Sequence, residues 1–203
     1  MVRQSTEVVR ERVLNAAADL FDRYGVHAVG LQRVIDEVGC GKYMLYREFP
    51  SKDDLIVAYL RRSCQYWDQT LDSTRATTTR PEEQLIELVR TVSRQVPGTR
   101  GCPLRNTYAE FPEHDHPARQ VALEHFSLVR QQLGDIARQT GAPEPDRLAE
   151  RILLIINGLY SPGHTAGPED MSEISVTLAR DIVAVETGKH PTRDQSGQRA
   201  EAR

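Results

Sequence analysis

Apolar residues recur at steps of three and four along nearly the whole chain, and this period limits the available folds more than any other feature. Val9, Val13, Ala17, Leu20 and Tyr24 share one stripe, Ala16 and Phe21 widen it, and Gly25 supplies the stop. The period returns in Leu31, Val34, Ile35 and Val38, closed by Gly39, and a further short helix fits Lys42–Phe49 before Pro50 forbids continuation. Ser51, with Asp54 three positions on, has the order of a capping box. Leu55, Ile56, Tyr59, Leu60, Cys64, Trp67 and Leu71 then predict one long helix to about Thr74, and the Thr run 77–79 reads as a linker. Pro81, Glu82 and Glu83 open a helix carrying Leu85, Leu88, Val89, Val92 and Val96 that ends at Pro97-Gly98. A short element at Leu104–Phe111 and a long one at Ala118–Gln139 follow, then two broad stripes, Leu148–Leu159 and Ile174–Val185. No stretch alternates like a strand. The expected fold is all-α, with about nine helices and a disordered polar tail from Gly188.

Composition narrows the class. At 203 residues, 39% hydrophobic and 27% charged, the chain has a globular profile and enough length for a core without disulfides. The longest apolar runs, Leu55–Leu60 and Ile152–Ile156, are far too short to cross a bilayer, and the polar start Met1–Glu7 is no secretory signal. Cys40, Cys64 and Cys102 are odd in number with no CxxC pair, as expected of reduced thiols and a cytoplasmic location. The net charge of −3 argues against nucleic acid only as an average. Through Lys52 there are eight basic residues (Arg3, Arg10, Arg12, Arg23, Arg33, Lys42, Arg47, Lys52) against seven acidic ones.

The informative segment is Leu31–Phe49. Two short helices joined through Gly39-Cys40-Gly41 fit a helix-turn-helix, in which the tight bend needs a residue at positive φ. In such a unit the second helix enters the major groove, and Lys42, Tyr43, Tyr46 and Arg47 are the polar or planar groups that would face it. Cys40 is expected under the turn, and Phe49 in the core.

A wider string carries a resemblance: Arg12–Phe21, Gly25, Val34, Gly39, Lys42, Leu45-Tyr46-Arg47 and Phe49–Leu55. Over residues 8–60 the chain closely resembles the N-terminal domain of TetR-family transcriptional regulators. The resemblance implies a helix-turn-helix domain over 1–50, a ligand-binding and dimerisation domain over 51–187, and the tail over 188–203. It further implies a homodimer on a palindromic double-stranded DNA operator, usually repressing until a small effector binds. Carried over position by position, it makes Tyr46 a phosphate contact, Lys42 and Lys52 basic contacts, and Gln32 and Arg33 backbone or base-edge contacts. Tyr43 fills a slot often held by a small residue, as expected of a base-edge or thymine-methyl reader. The departures are Val29-Gly30, where the family favours Thr-Ser, Gly41 in place of a helix-opening Ser, and Met44 for a frequent Thr. They thin the phosphate contacts and add weight to Lys42, Arg47, Lys52 and Arg3.

The resemblance places the effector pocket among helices four to seven and the dimer contact on the last two helices. Polar and aromatic residues that interrupt apolar faces there are the pocket candidates: Tyr66, Trp67, Asn106, Tyr108, Glu110, Phe111, His125, Phe126, Asn157 and Tyr160, with Cys102 in the Arg100–Pro103 turn. They suggest a medium-sized, largely apolar effector. Leu148, Ile152, Ile155, Ile156, Leu159, Ile174, Leu178, Ile182 and Val185 are the expected dimer residues. His114 and His116 lack a third ligand at a fixed spacing, so no metal and no cofactor is expected. Two other readings stay open: a DNA-binding regulator switched through the Cys102 thiol or by a protein partner, and an enzyme built on Cys102, His125 and Glu110.

Overall fold

The computed structural model describes residues 6–95, 100–161 and 168–189. Arg3, Val96, the turn at 97–99, residues 162–167 and the tail beyond Lys189 lie outside the described residues. Among the described residues there are nine helices and no strand: α1 (Thr6–Tyr24), α2 (Leu31–Val38), α3 (Lys42–Glu48), α4 (Lys52–Thr77), α5 (Pro81–Gln95), α6 (Pro103–Glu110), α7 (Pro117–Gln139), α8 (Pro145–Leu159) and α9 (Pro168–Thr187).

Local chemistry explains most boundaries. Proline opens α5, α6, α7 and α8, at the position where a missing backbone donor costs nothing. At α4 the Ser51 hydroxyl accepts from the Asp54 amide at 3.0 Å, while the Asp54 carboxylate accepts from the Ser51 amide at 3.0 Å. This helix runs three residues past the expected Thr74. The hydroxyls of Thr70, Thr74 and Thr77 donate to the carbonyls of Tyr66, Thr70 and Ser73 at 2.8–2.9 Å, so Thr77 sits in the helix and the linker begins at Thr78. Gly39, at φ 65°, ends α2 and makes the bend the helix-turn-helix requires.

Two cores form. The first joins α1–α3 to the start of α4, and Leu104, Phe111, Ala118 and Ala122 enter it from α6 and α7. The second collects the later half of α4 with α5, α7, α8 and α9. Helix α4 therefore belongs to both, and packing does not divide at residue 50. Glu186, buried on α9, accepts from Arg147 and pairs with Arg151, clamping α9 to α8. Lys189 pairs with Glu82, so the segment expected as tail is anchored at its first residues.

The dimer stripe needs correction. Leu148, Ile152, Ile156 and Leu159 are buried in the second core, and Ile155 and Ile182 pack against its edge. Helix α8 lies against α5, α7 and α9, so its broad apolar stripe is used up within the chain. The apolar residues left exposed on α8 and α9 are Leu154 at 68%, Ile174 at 57%, Leu178 at 47% and Val185 at 66%.

Candidate functional site

The helix-turn-helix is held on α1 by two arginines. Arg12 donates to the Val38 carbonyl at 2.8 Å, and Arg10 donates to the Glu48 carbonyl at 3.0 Å with its guanidinium 4.4 Å from the Phe49 ring centre. Each thus satisfies a carbonyl at the C-terminal end of α2 or α3. Val34, Ile35, Cys40, Leu45 and Phe49 are buried beneath.

The opposite face is open. Gln32, Arg33, Gly41, Lys42, Tyr43, Tyr46 and Arg47 are all exposed, Tyr43 by 78%. Several already have local partners. Gln32 donates to Asp36 at 2.8 Å, Arg33 lies 3.9 Å over the Tyr24 ring, and Lys42 sits 5.7 Å from the Tyr46 ring. Arg47 is paired with Glu48 at 2.8 Å, which leaves it less free than its sequence position suggests. Lys52 is partly buried and donates to the His27 carbonyl at 3.3 Å, and burial lowers its pKa. Gly30 and Gly41 cap α2 and α3 with no side-chain hydrogen bond, and a Cβ at either would meet nothing within 4 Å.

A cavity of about 970 Å³ lies between α1, α4, α5, α6, α7 and α8. Tyr66, Trp67, Cys102, His125, Phe126, Asn157 and Tyr160 line it, as the sequence suggested. Asn106, Tyr108, Glu110 and Phe111 do not. Asn106 donates to the Arg100 carbonyl at 2.7 Å, Tyr108 accepts from Arg119 at 2.8 Å, and Phe111 stacks between His27 and His116. A short helix shows its neighbours to different surroundings, and only the start of α6 faces the cavity.

The sequence reading missed one whole wall. Asn15, Ala18, Asp19 and Asp22 of α1 line the cavity together with Tyr59 and Arg62 of α4. Their spacing of three and four puts the α1 residues on one face, a signal visible in sequence but masked by the assignment of α1 to DNA binding. Burial is the main cause of a raised Asp22 pKa, against the hydrogen bond from the Tyr59 hydroxyl. Burial also lowers the His125 pKa, so the imidazole is neutral at pH 7, and raises Tyr160 to about 12. It pushes the Cys102 thiol up and Cys64 to about 11. Neither thiol is a ready thiolate, which disfavours both the redox switch and the cysteine nucleophile. With Glu110 outside the cavity, the Cys102–His125–Glu110 cluster is not brought together.

Glu110 instead forms a latch. Its carboxylate accepts from the His27 amide at 2.9 Å and pairs with Arg100 at 3.4 Å, and its carbonyl lies 2.7 Å from His27 Nε2. His27 belongs to the α1–α2 turn, and its own carbonyl holds Lys52. The cavity wall at Cys102–Arg105 is thus continuous with the helix-turn-helix through Arg100, Glu110 and His27. His116 accepts from the Ala118 amide through Nδ1 at 3.2 Å and faces Asp53 at 3.6 Å, so the second histidine of the 114–116 run serves as a helix cap.

The profile of the bacterial regulatory proteins of the tetR family matches residues 13–59, from within α1 through α2 and α3 to the first turns of α4. A crystal structure of SCO4454, a TetR-family transcriptional regulator from Streptomyces coelicolor, superposes with a TM-score of 0.82 at 26% identity, over 89% of this chain and 97% of that one. Residues 13–59 carry the tetR-family domain, and the chain has the fold of TetR-family transcriptional regulators. It is similar to the HTH-type transcriptional regulator LmrA of Bacillus subtilis, 27% identical over 76% of this chain and 83% of LmrA. The fold also matches AibR, solved with isovaleryl coenzyme A and operator DNA, with a TM-score of 0.66 at 19% identity. A tetR-family domain on this fold is that of a DNA-binding transcriptional regulator and accounts for the exposed helix α3. No described helix is long and apolar enough to cross a membrane.

Proposed function

We propose that the protein binds a palindromic operator as a homodimer, represses transcription there, and is released by a small organic effector in the cavity between α1 and α4–α8. The observation that carries this reading is the continuity of the cavity wall with the α1–α2 turn through Arg100, Glu110 and His27. An effector acts only through its different affinity for two conformations. A ligand that moves the start of α6 changes the Glu110 contacts, and with them the angle at which each α3 meets its groove. Two recognition helices fit one face of the duplex only at a spacing of about 34 Å, so a small rotation breaks the match.

Dimerisation uses the exposed Leu154, Ile174, Leu178 and Val185. Three of these repeat along α9 at steps of four and seven, which gives a face that a two-fold axis can pair with itself. Lys42, Tyr43 and Tyr46 approach the duplex directly, while Lys52 reaches phosphate only by giving up the His27 carbonyl. The complex of AibR with a ligand and operator DNA is a precedent for both partners on one such fold.

The test is a gel-shift titration of the promoter regions beside the gene. Wild type should retard at least one fragment, and the double variant Lys42→Ala/Tyr46→Ala should lose at least about tenfold in affinity while keeping its helicity and sedimentation coefficient. Equal binding by the double variant sinks the assignment of α3 as reader.

A further inference from the structure

Charge in the cavity wall is already balanced. Two acidic side chains, Asp19 and Asp22, and two basic ones, Arg62 and Arg105, line it, so their formal charges cancel. Asp22 accepts from the Tyr59 hydroxyl, and Arg62 donates to the Asn15 side chain and the Leu14 carbonyl. Arg105 donates to Asn157 and lies 5.5 Å from the Phe126 ring centre, and Asp19 is exposed to solvent. A charged ligand would leave water for a wall that holds no opposite charge in excess.

Two neutral groups of the lining are differently placed. Among the described residues the His125 imidazole has no hydrogen bond, and its Nδ1 is buried without one. The ring stands edge-on to Trp67 and Phe126, with centroids 6.5 and 6.4 Å away, and burial lowers its pKa against the charge of Asp68. The Tyr160 hydroxyl likewise has no hydrogen-bond partner, and burial pushes its pKa up to about 12, so it keeps its proton. Trp67, by contrast, donates its indole N–H to Gln132 at 2.7 Å. A neutral imidazole offers one donor and one acceptor nitrogen, and a ligand hydroxyl, which does both, suits it in either tautomer. Polar groups left unpaired inside a largely aromatic wall are the anchors that fix a ligand's orientation.

From this geometry we infer that the effector is an uncharged ring compound bearing a hydroxyl, a phenol or an alicyclic alcohol, anchored by hydrogen bonds to His125 and Tyr160 with its apolar body against Trp67 and Phe126. This inference rests on the cavity being the effector site, and it narrows the expected largely apolar ligand to a neutral one with a defined polar anchor. Tyr160 also abuts the turn that carries Arg100, since a Cβ on Gly101 would run into the Tyr160 carbonyl oxygen. A ligand held there bears on the segment that leads to the Glu110 latch.

Four probes on one frame separate the hydroxyl from bulk and from charge: 4-phenylphenol, biphenyl, biphenyl-4-carboxylate and protonated biphenyl-4-ylmethylamine. Trp67 is the single tryptophan of the chain and lines the cavity, so its emission reports occupancy. The phenol should bind at least about fivefold more tightly than each of the other three, and His125→Phe, which keeps a ring and removes its polar atoms, should abolish most of that preference. Tyr160→Phe should reduce it in the same sense and keeps the test valid if the His125 variant does not fold. Equal or tighter binding of biphenyl or of either ion overturns the inference. So does a preference for the phenol that survives both substitutions, or an absence of phenol binding. The readout does not involve DNA. Loss of the promoter gel shift would overturn the proposed regulator and leave this result standing, and the reverse holds equally.

Discussion

Gly101 and Gly41 show how the same residue type serves opposite purposes. Gly101 has φ 81°, and a Cβ there would run into the Tyr160 carbonyl oxygen. Gly101→Ala combines a disfavoured backbone region with a clash against main chain that cannot step aside, and should cost about 2–4 kcal/mol by urea unfolding. Unchanged stability would show that α6 and α8 do not meet so closely. Gly41 has open space around it and an ordinary φ of −70°. Gly41→Ser should add a few tenths of a kcal/mol as an N-cap and tighten promoter binding, because the hydroxyl restores a polar group at the groove edge. Loss of promoter binding in that variant would place Gly41 against the DNA backbone.

Among elements, α8 and α9 separate two meanings of an apolar stripe. Both were legible as amphipathic helices, yet periodicity reports only that a face is covered, not by what. The structure assigns most of the α8 stripe to the chain's own core and leaves three residues of α9 outside it. Ile152→Ala should therefore lower stability by about 2–5 kcal/mol through the cavity it leaves, without changing the association state. Leu178→Glu should leave folding intact and convert a dimer to monomer in sedimentation velocity. A dimeric Leu178→Glu protein would remove α9 from the interface. The length of α4 had a similar origin: of the Thr run 77–79 that reads as a linker, Thr77 turns its hydroxyl back onto the Ser73 carbonyl and joins the helix, while Thr78 and Thr79 lie beyond it.

At the scale of the whole molecule, the two cores share α4, and the α6–α7 turn reaches the α1–α2 turn, so sensing and reading elements touch at two places. Glu110 tests the second contact. Glu110→Ala should weaken promoter binding several-fold while leaving helicity and the Trp67 emission unchanged. Unchanged promoter binding by Glu110→Ala would remove this contact from the path between cavity and helix-turn-helix.

The sequence by itself determined the helical class, the position of the helix-turn-helix and its exposed residues. All of these depend on local spacing: the 3.6-residue period, prolines at helix starts, Ser51 with Asp54, and Gly39 in the turn. Seven of the pocket residues were also legible, because aromatic and polar groups interrupt apolar faces there. Only the tertiary structure decided which side of each face meets another helix. It moved Glu110 and Phe111 from the pocket to the latch and the α8 stripe from a partner surface to the core. It also turned Asp19 and Asp22 of the DNA-binding helix toward the cavity. Spacing sets where a side chain lies around its own helix axis. What lies opposite depends on contacts between residues far apart in the chain, such as His27 and Glu110, 83 positions apart, and local pattern carries no record of those.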